Sequence, residues 1–106
     1  MERYLFQKAK VAVYYEITDK GLIYHGFGNV ENCYPWKDFT RVYTERFVYD
    51  SLCNVRFVCG GKTIIINKYI DDPCELAYRM IYRIKTYIDV DPEITKRMKT
   101  LSGIHI

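Results

Sequence analysis

The chain has 106 residues and a formal net charge of +3, with 49% hydrophobic and 27% charged residues. That size and balance describe one ordinary globular domain with room for a modest core. They exclude a transmembrane helix, because no apolar run approaches the roughly 20 residues such a helix needs.

The first segment, "MERYLFQKAKVAVYYE", carries charges at Glu2, Lys8 and Lys10 that interrupt any signal-peptide core. The expected location is therefore cytoplasmic. "KVAVYYEI" alternates, with Val11, Val13, Tyr15 and Ile17 on one face, as a half-buried strand does. "TDKG" closes a tight turn in which Gly21 is expected to supply a positive φ. "LIYHGFGNVENCY" reads as two short strands, with Gly26 and Gly28 marking the bend between them. After Pro35, "DFTRVYTERFVY" is a longer β segment whose apolar positions are Phe39, Val42, Tyr43, Phe47 and Val48. "SLCNVRFVC" sets Cys53, Val55, Phe57 and Cys59 on one face against Asn54 and Arg56. "GGK" makes a hairpin, and "TIIINKY" returns as the most β-branched strand.

The period then changes. "DDPCELAYRMIYRIKTYI" opens with Asp72 as N-cap, Pro73 at the first helical position and Glu75 at N3, an Asp-led form of the capping box. Leu76, Ala77, Met80, Ile81, Ile84 and Ile88 share one face, and Arg79, Tyr82, Arg83 and Lys85 take the rest. Asp91-Pro92 opens a second, shorter helix, "EITKRMKTL", with Ile94, Met98 and Leu101 on one side and Lys96, Arg97 and Lys99 elsewhere. About ten residues is marginal for a helix standing alone. Its apolar stripe docks on this domain, on another copy, or on nothing.

Cys33, Cys53, Cys59 and Cys74 have no metal-binding spacing, and neither His25 nor His105 stands at a zinc-finger interval. Cys53 and Cys59 lie on one face of a strand about 20 Å apart, too far for a disulfide. They read as small apolar residues in a reducing compartment. No cofactor or metal is expected.

A run of six or so strands with short turns, then one amphipathic helix, is an order few small folds share. The segments "ITDKGLIYHG", "YPWKDFTRVY", "GGKTIIINKYI" and "ELAYRMIYRIK" resemble bacterial PH-like domains of the YcxB-like group, over roughly residues 12 to 88. The resemblance implies a mainly β fold: a bent barrel or two-sheet sandwich of about seven strands. One amphipathic helix caps it over 73 to 88, and a short helical tail follows. It divides the chain into a PH-like domain, 1–89, and a tail, 90–106. It also implies binding or scaffolding rather than chemistry. Members of the group usually carry membrane helices ahead of this domain, and this chain has none. Inositide-binding PH domains gather cations in the first interstrand loop, whereas "TDKG" offers only Lys20 beside Asp19, so no specific phosphoinositide is expected. In such a fold Pro35 stands at a strand entry, where its missing N–H is harmless, and holds Tyr34 extended. Trp36 is then either a lid on the core or, with Tyr34, an exposed interface anchor.

No catalytic residue is expected. The two histidines stand near no nucleophile motif, Asp72 of the Asp71–Asp72 pair is taken by the helix, and "GFG" lacks the rest of a dinucleotide fingerprint. The charge excess lies wholly after residue 78, in Arg79, Arg83, Lys85, Lys96, Arg97 and Lys99 against Asp89, Asp91 and Glu93. These cations are candidates for weak binding of an anionic membrane surface or nucleic acid, with Tyr78, Tyr82 and Tyr87 between them. The excess is small for nucleic acid, which is not the expected partner. The surplus of aromatics and the tail stripe favour a protein partner, including a second copy of the chain, with Trp36, Tyr34, Ile94, Met98 and Leu101 as interface candidates.

Overall fold

The computed structural model describes residues 2–6, 13–44 and 54–103. Val11, Phe47, Val48, Cys53 and His105, singled out above, lie outside the described residues, as do Lys8 and Lys10. The protein is mainly β, with two antiparallel sheets followed by two C-terminal helices. The first sheet runs in the order β1 (Glu2–Leu5), β2 (Tyr14–Ile17), β3 (Gly21–His25) and β4 (Glu31–Pro35). The second holds β5 (Phe39–Tyr43), β6 (Val55–Cys59) and β7 (Lys62–Ile66). The strand count matches the expected seven, and the strands form two sheets, the second of the two expected arrangements; no closed barrel is seen among the described residues. Two contacts tie β1 to the end of the second sheet: a bridge between Phe6 and Ile70, and the Asp71 N–H donating to the Leu5 carbonyl at 2.8 Å.

Strand β1 was not evident in the sequence, and it extends the sheet by pairing Tyr4 with Tyr15. The turn into β3 is held by Thr18, whose N–H and Oγ1 both donate to the Gly21 carbonyl, at 3.0 and 2.8 Å. Gly21 has no positive φ, contrary to expectation. Its reason is contact: a Cβ there would lie 2.3 Å from the Tyr34 carbonyl oxygen and 2.8 Å from Pro35 Cα. Positive φ is needed at Gly28 (63°), in the 3-10 turn before β4, and at Gly60 (61°), in the Gly-Gly hairpin joining Cys59 to Lys62.

The core lies between the sheets and α1 (Pro73–Ile84). Leu22, Phe39, Val55, Phe57, Ile64 and Ile66 meet Leu76, Ala77, Met80, Ile81 and Ile84, all of them buried. Burying the four large residues of α1 contributes about 2 kcal/mol each, together on the order of the net stability of a whole domain. Ile88 packs at the rim, in a turn that follows the helix. The start of α1 departs from the expected capping box. Asp72 is left-handed (φ 47°, ψ 54°) and its side chain makes no cap bond. A capping side chain needs an extended backbone beneath it, which this conformation lacks.

Helix α2 (Pro92–Ser102) has the cap that α1 lacks: Asp91 Oδ1 accepts from the Glu93 N–H at 2.9 Å. Gly103 ends it with φ 73°. Ile94 and Met98 are buried in the same core cluster as α1, and Leu101 packs at its margin. Of the three possibilities for the tail stripe, the structure takes docking in cis.

Candidate interaction surface

The residues expected to meet a partner turn mostly inward. Trp36 is only 3% exposed, stacks on Phe39 at 5.7 Å, and donates its indole N–H to the Thr18 carbonyl at 2.9 Å. It is the core lid of the two readings, not an exposed anchor: an indole flanked by a strand entry and a tight turn finds both apolar contact and a buried acceptor there. Ile94 and Met98 are likewise core residues, and Tyr34 and Leu101 are half-buried against the core. The apolar interface set is thus largely consumed by folding.

The expected anion-binding set is also partly engaged. Arg79 Nε donates to Glu75 at 3.2 Å, one turn away, and Arg83 reaches Asp19 at 3.4 Å. Lys85 lies over the Tyr82 ring at 4.3 Å, with Lys96 exposed and Arg97 and Lys99 half-buried on α2. These carboxylates offset part of the positive charge that the helix presents to an outside anion.

One open stretch of backbone lies along β4, at an edge of the first sheet. The ladder alternates, so the direction of each backbone group follows from bonds at its ends. Gly26 N–H donates to the Val30 carbonyl at 2.9 Å, and Trp36 N–H donates to the Lys20 carbonyl at 3.3 Å. Even-numbered residues of the segment 30–36 therefore face β3, and Glu31, Cys33 and Pro35 turn their backbone groups away from it. Pro35 has no N–H, and its carbonyl lies 4.0 Å from Cys59 Sγ. For Glu31 and Cys33, no hydrogen bond to the outward N–H or C=O is found among the described residues. The opposite edge is partly engaged, since the Leu5 carbonyl on β1 accepts from Asp71, while on β7 the outward groups of Thr63 and Ile65 also show no bond among the described residues.

Side chains around this edge are open as well. Phe27 is 59% exposed and Val30 48%, and Glu31, Asn32 and Cys33 are all exposed. Natural edges are commonly blunted by charged side chains, proline or a bulge; "ENC" carries one charge, Glu31, and no lysine, proline or bulge. Beside it, on the solvent face of the sheet, the His25 ring stacks on Tyr14 at 4.4 Å, and Arg3 lies over Tyr14 at 5.1 Å. His25 Nε2 meets Glu16 Oε1 at 3.2 Å, and Nδ1 faces Glu31 at 3.8 Å. Nε2 is engaged by Glu16, whereas Nδ1 faces Glu31 beyond hydrogen-bond distance. Glu16 is buried and breaks the expected alternation of β2.

Two groups titrate away from their usual range. Burial, and then the neighbouring Tyr34 and Tyr24, push the Tyr15 phenol well above its ordinary value. Burial, followed by Asp38 and Cys33, raises the Cys59 thiol, which disfavours the thiolate a nucleophile needs. Among the described residues, no three His, Cys, Asp or Glu side chains gather so as to hold a metal ion.

Sequence reasoning missed the edge because edge position is a product of long-range pairing. The available signal was the absence of lysine or proline between Gly28 and Pro35. Set against known proteins, the chain matches no family model, no curated protein and no solved structure.

Proposed function

We propose that the protein is a non-enzymatic binding module, PH-like in arrangement, that binds protein by adding an extended partner segment to β4. The observation that carries this reading is the open edge: four unbonded backbone groups on Glu31 and Cys33, flanked by exposed Phe27 and Val30. Strand addition draws affinity from main-chain bonds and selectivity from alternate side chains. The order of four strands, three strands and a helix supports the PH-like arrangement. The basic helix faces support binding of anionic surfaces less well, because Arg79 and Arg83 already face Glu75 and Asp19.

The test is selection of short peptides on the full chain from a random display library, followed by Cys33→Pro. That substitution removes an outward N–H and no bond of the β3–β4 ladder. Selected peptides lose at least about tenfold in affinity, the worth of one or two hydrogen bonds. Peptides that bind Cys33→Pro as tightly as the natural chain place the binding surface elsewhere.

A further inference from the structure

We infer that the strand added at β4 is β4 of a second copy of this chain, paired antiparallel about Asn32. The inference rests on the strand-addition reading above and supplies its partner. Glu31 and Cys33 each direct one N–H and one C=O outward. A two-fold axis through Asn32 sets Glu31 opposite the partner's Cys33, and Cys33 opposite the partner's Glu31. Both are closely bonded pairs of an antiparallel ladder, so all four outward groups of each copy are satisfied.

The neighbouring registers are worse for identifiable reasons. An axis through Cys33 sets Glu31 against the partner's Pro35, which has no N–H and whose carbonyl already lies near Cys59 Sγ. An axis through Glu31 sets two carboxylates opposite one another, a repulsive cross-strand pair. Only the Asn32 register avoids both. It also sets Val30, 48% exposed, opposite the half-buried Tyr34 of the other copy, so the two exposed valines gain apolar cover. The outcome is a continuous eight-stranded sheet across the two copies, since each contributes the four strands β1 to β4. A contact this small is reversible and concentration-dependent rather than obligate.

The experiment is sedimentation velocity on the full chain from about 5 to about 500 µM, a range that brackets weak association. The natural chain moves from monomer toward dimer. Cys33→Pro weakens that association by more than about tenfold, because each copy loses a donor. Asn32→Cys in a Cys33→Ser background cross-links on mild oxidation, since residue 32 meets its own copy at a Cα separation of about 4.5 Å. The Cys33→Ser chain alone does not cross-link. This second variant keeps the question open to refutation even where proline at 33 unfolds the strand. A natural chain that stays monomeric overturns the proposal. So does a dimer indifferent to Cys33→Pro, or one cross-linked through Cys33 and not through residue 32. A monomer whose selected peptides remain sensitive to Cys33→Pro removes self-pairing alone and leaves the binding-module reading in place.

Discussion

Truncating Met98 tests whether α2 belongs to the fold of its own chain. The side chain is 2% exposed and lies in the core cluster with Ile94 and the α1 residues. Met98→Ala removes a buried chain of three heavy atoms and leaves a cavity that α2 can only partly close. Substitutions of this kind cost about 2 to 5 kcal/mol, and a nearly fully buried site places the expectation at about 3 kcal/mol. For a domain of this size, each kcal/mol lowers the melting temperature by about 5 °C, so the expected drop is about 15 °C. The assay is thermal unfolding followed by far-ultraviolet circular dichroism, repeated across a wide range of protein concentration. Lys96→Ala, on the exposed side of the same helix, serves as control and shifts the transition little. A drop of only a degree or two for Met98→Ala refutes docking in cis. A drop that shrinks as concentration rises refutes it differently, by showing that the helix packs on another copy.

Other expectations follow from single contacts. Trp36→Phe retains most of the ring but leaves the Thr18 carbonyl without its 2.9 Å donor, costing about 1 to 3 kcal/mol by urea unfolding; a neutral change means the indole bond does not hold the turn. Gly21→Ala forces a Cβ to within 2.3 Å of the Tyr34 carbonyl and costs about 3 kcal/mol or more, with altered amide shifts in β3 and β4; unchanged spectra contradict the close approach. Tyr15 titrates higher in the folded state than in the unfolded one, where its pKa is about 10. Its contribution is therefore intact below pH 10, and above that the folded state holds more protons and stability falls as pH rises, by about 1.4 kcal/mol per unit. Tyr15→Phe removes that share, so its stability declines less steeply than the natural chain's between pH 10 and 12; parallel declines refute the buried phenol.

Local periodicity was enough for the helices and most strands. The face of α1 was legible because Leu76, Ala77, Met80, Ile81 and Ile84 repeat at the helical interval, and all five are fully buried. The Gly60-Gly61 turn was legible because two glycines between alternating segments admit few alternatives. β1 was not, because "ERYL" is four residues with two charges and gains strand geometry only by pairing with β2. Glu16 was not, because its burial comes from His25 and Tyr14 on the same sheet face, which alternation along one strand does not register. The role of Trp36 stayed divided between lid and anchor, since what decides it is the Thr18 carbonyl, eighteen residues away. The open edge belongs to the same class. Composition states what a strand can do at an edge, whereas only topology states which strand is there.

The edge of β4 is also held in place before any partner arrives. At one end, Gly26 N–H bonds the Val30 carbonyl and fixes the exit of the 3-10 turn. At the other, Trp36 bonds Lys20 through its backbone and Thr18 through its ring, so the strand leaves the sheet at one point only. Between them, five register pairs with β3 set the pleat, and Tyr34 packs against the core. His25, itself fixed against Tyr14 and Glu16, faces Glu31 from the adjacent strand. The ordering entropy of β4, about 1 to 2 kcal/mol per residue for the backbone, is thus offset by its own fold. An incoming segment bears only the cost of its own ordering, and a second copy of β4, ordered in the same way, bears almost none. Preorganisation on both sides is what allows four hydrogen bonds and two small apolar contacts to count toward association. Proline at Cys33 removes no bond of the β3–β4 ladder and takes away only the outward donor, so it tests edge binding apart from that ladder.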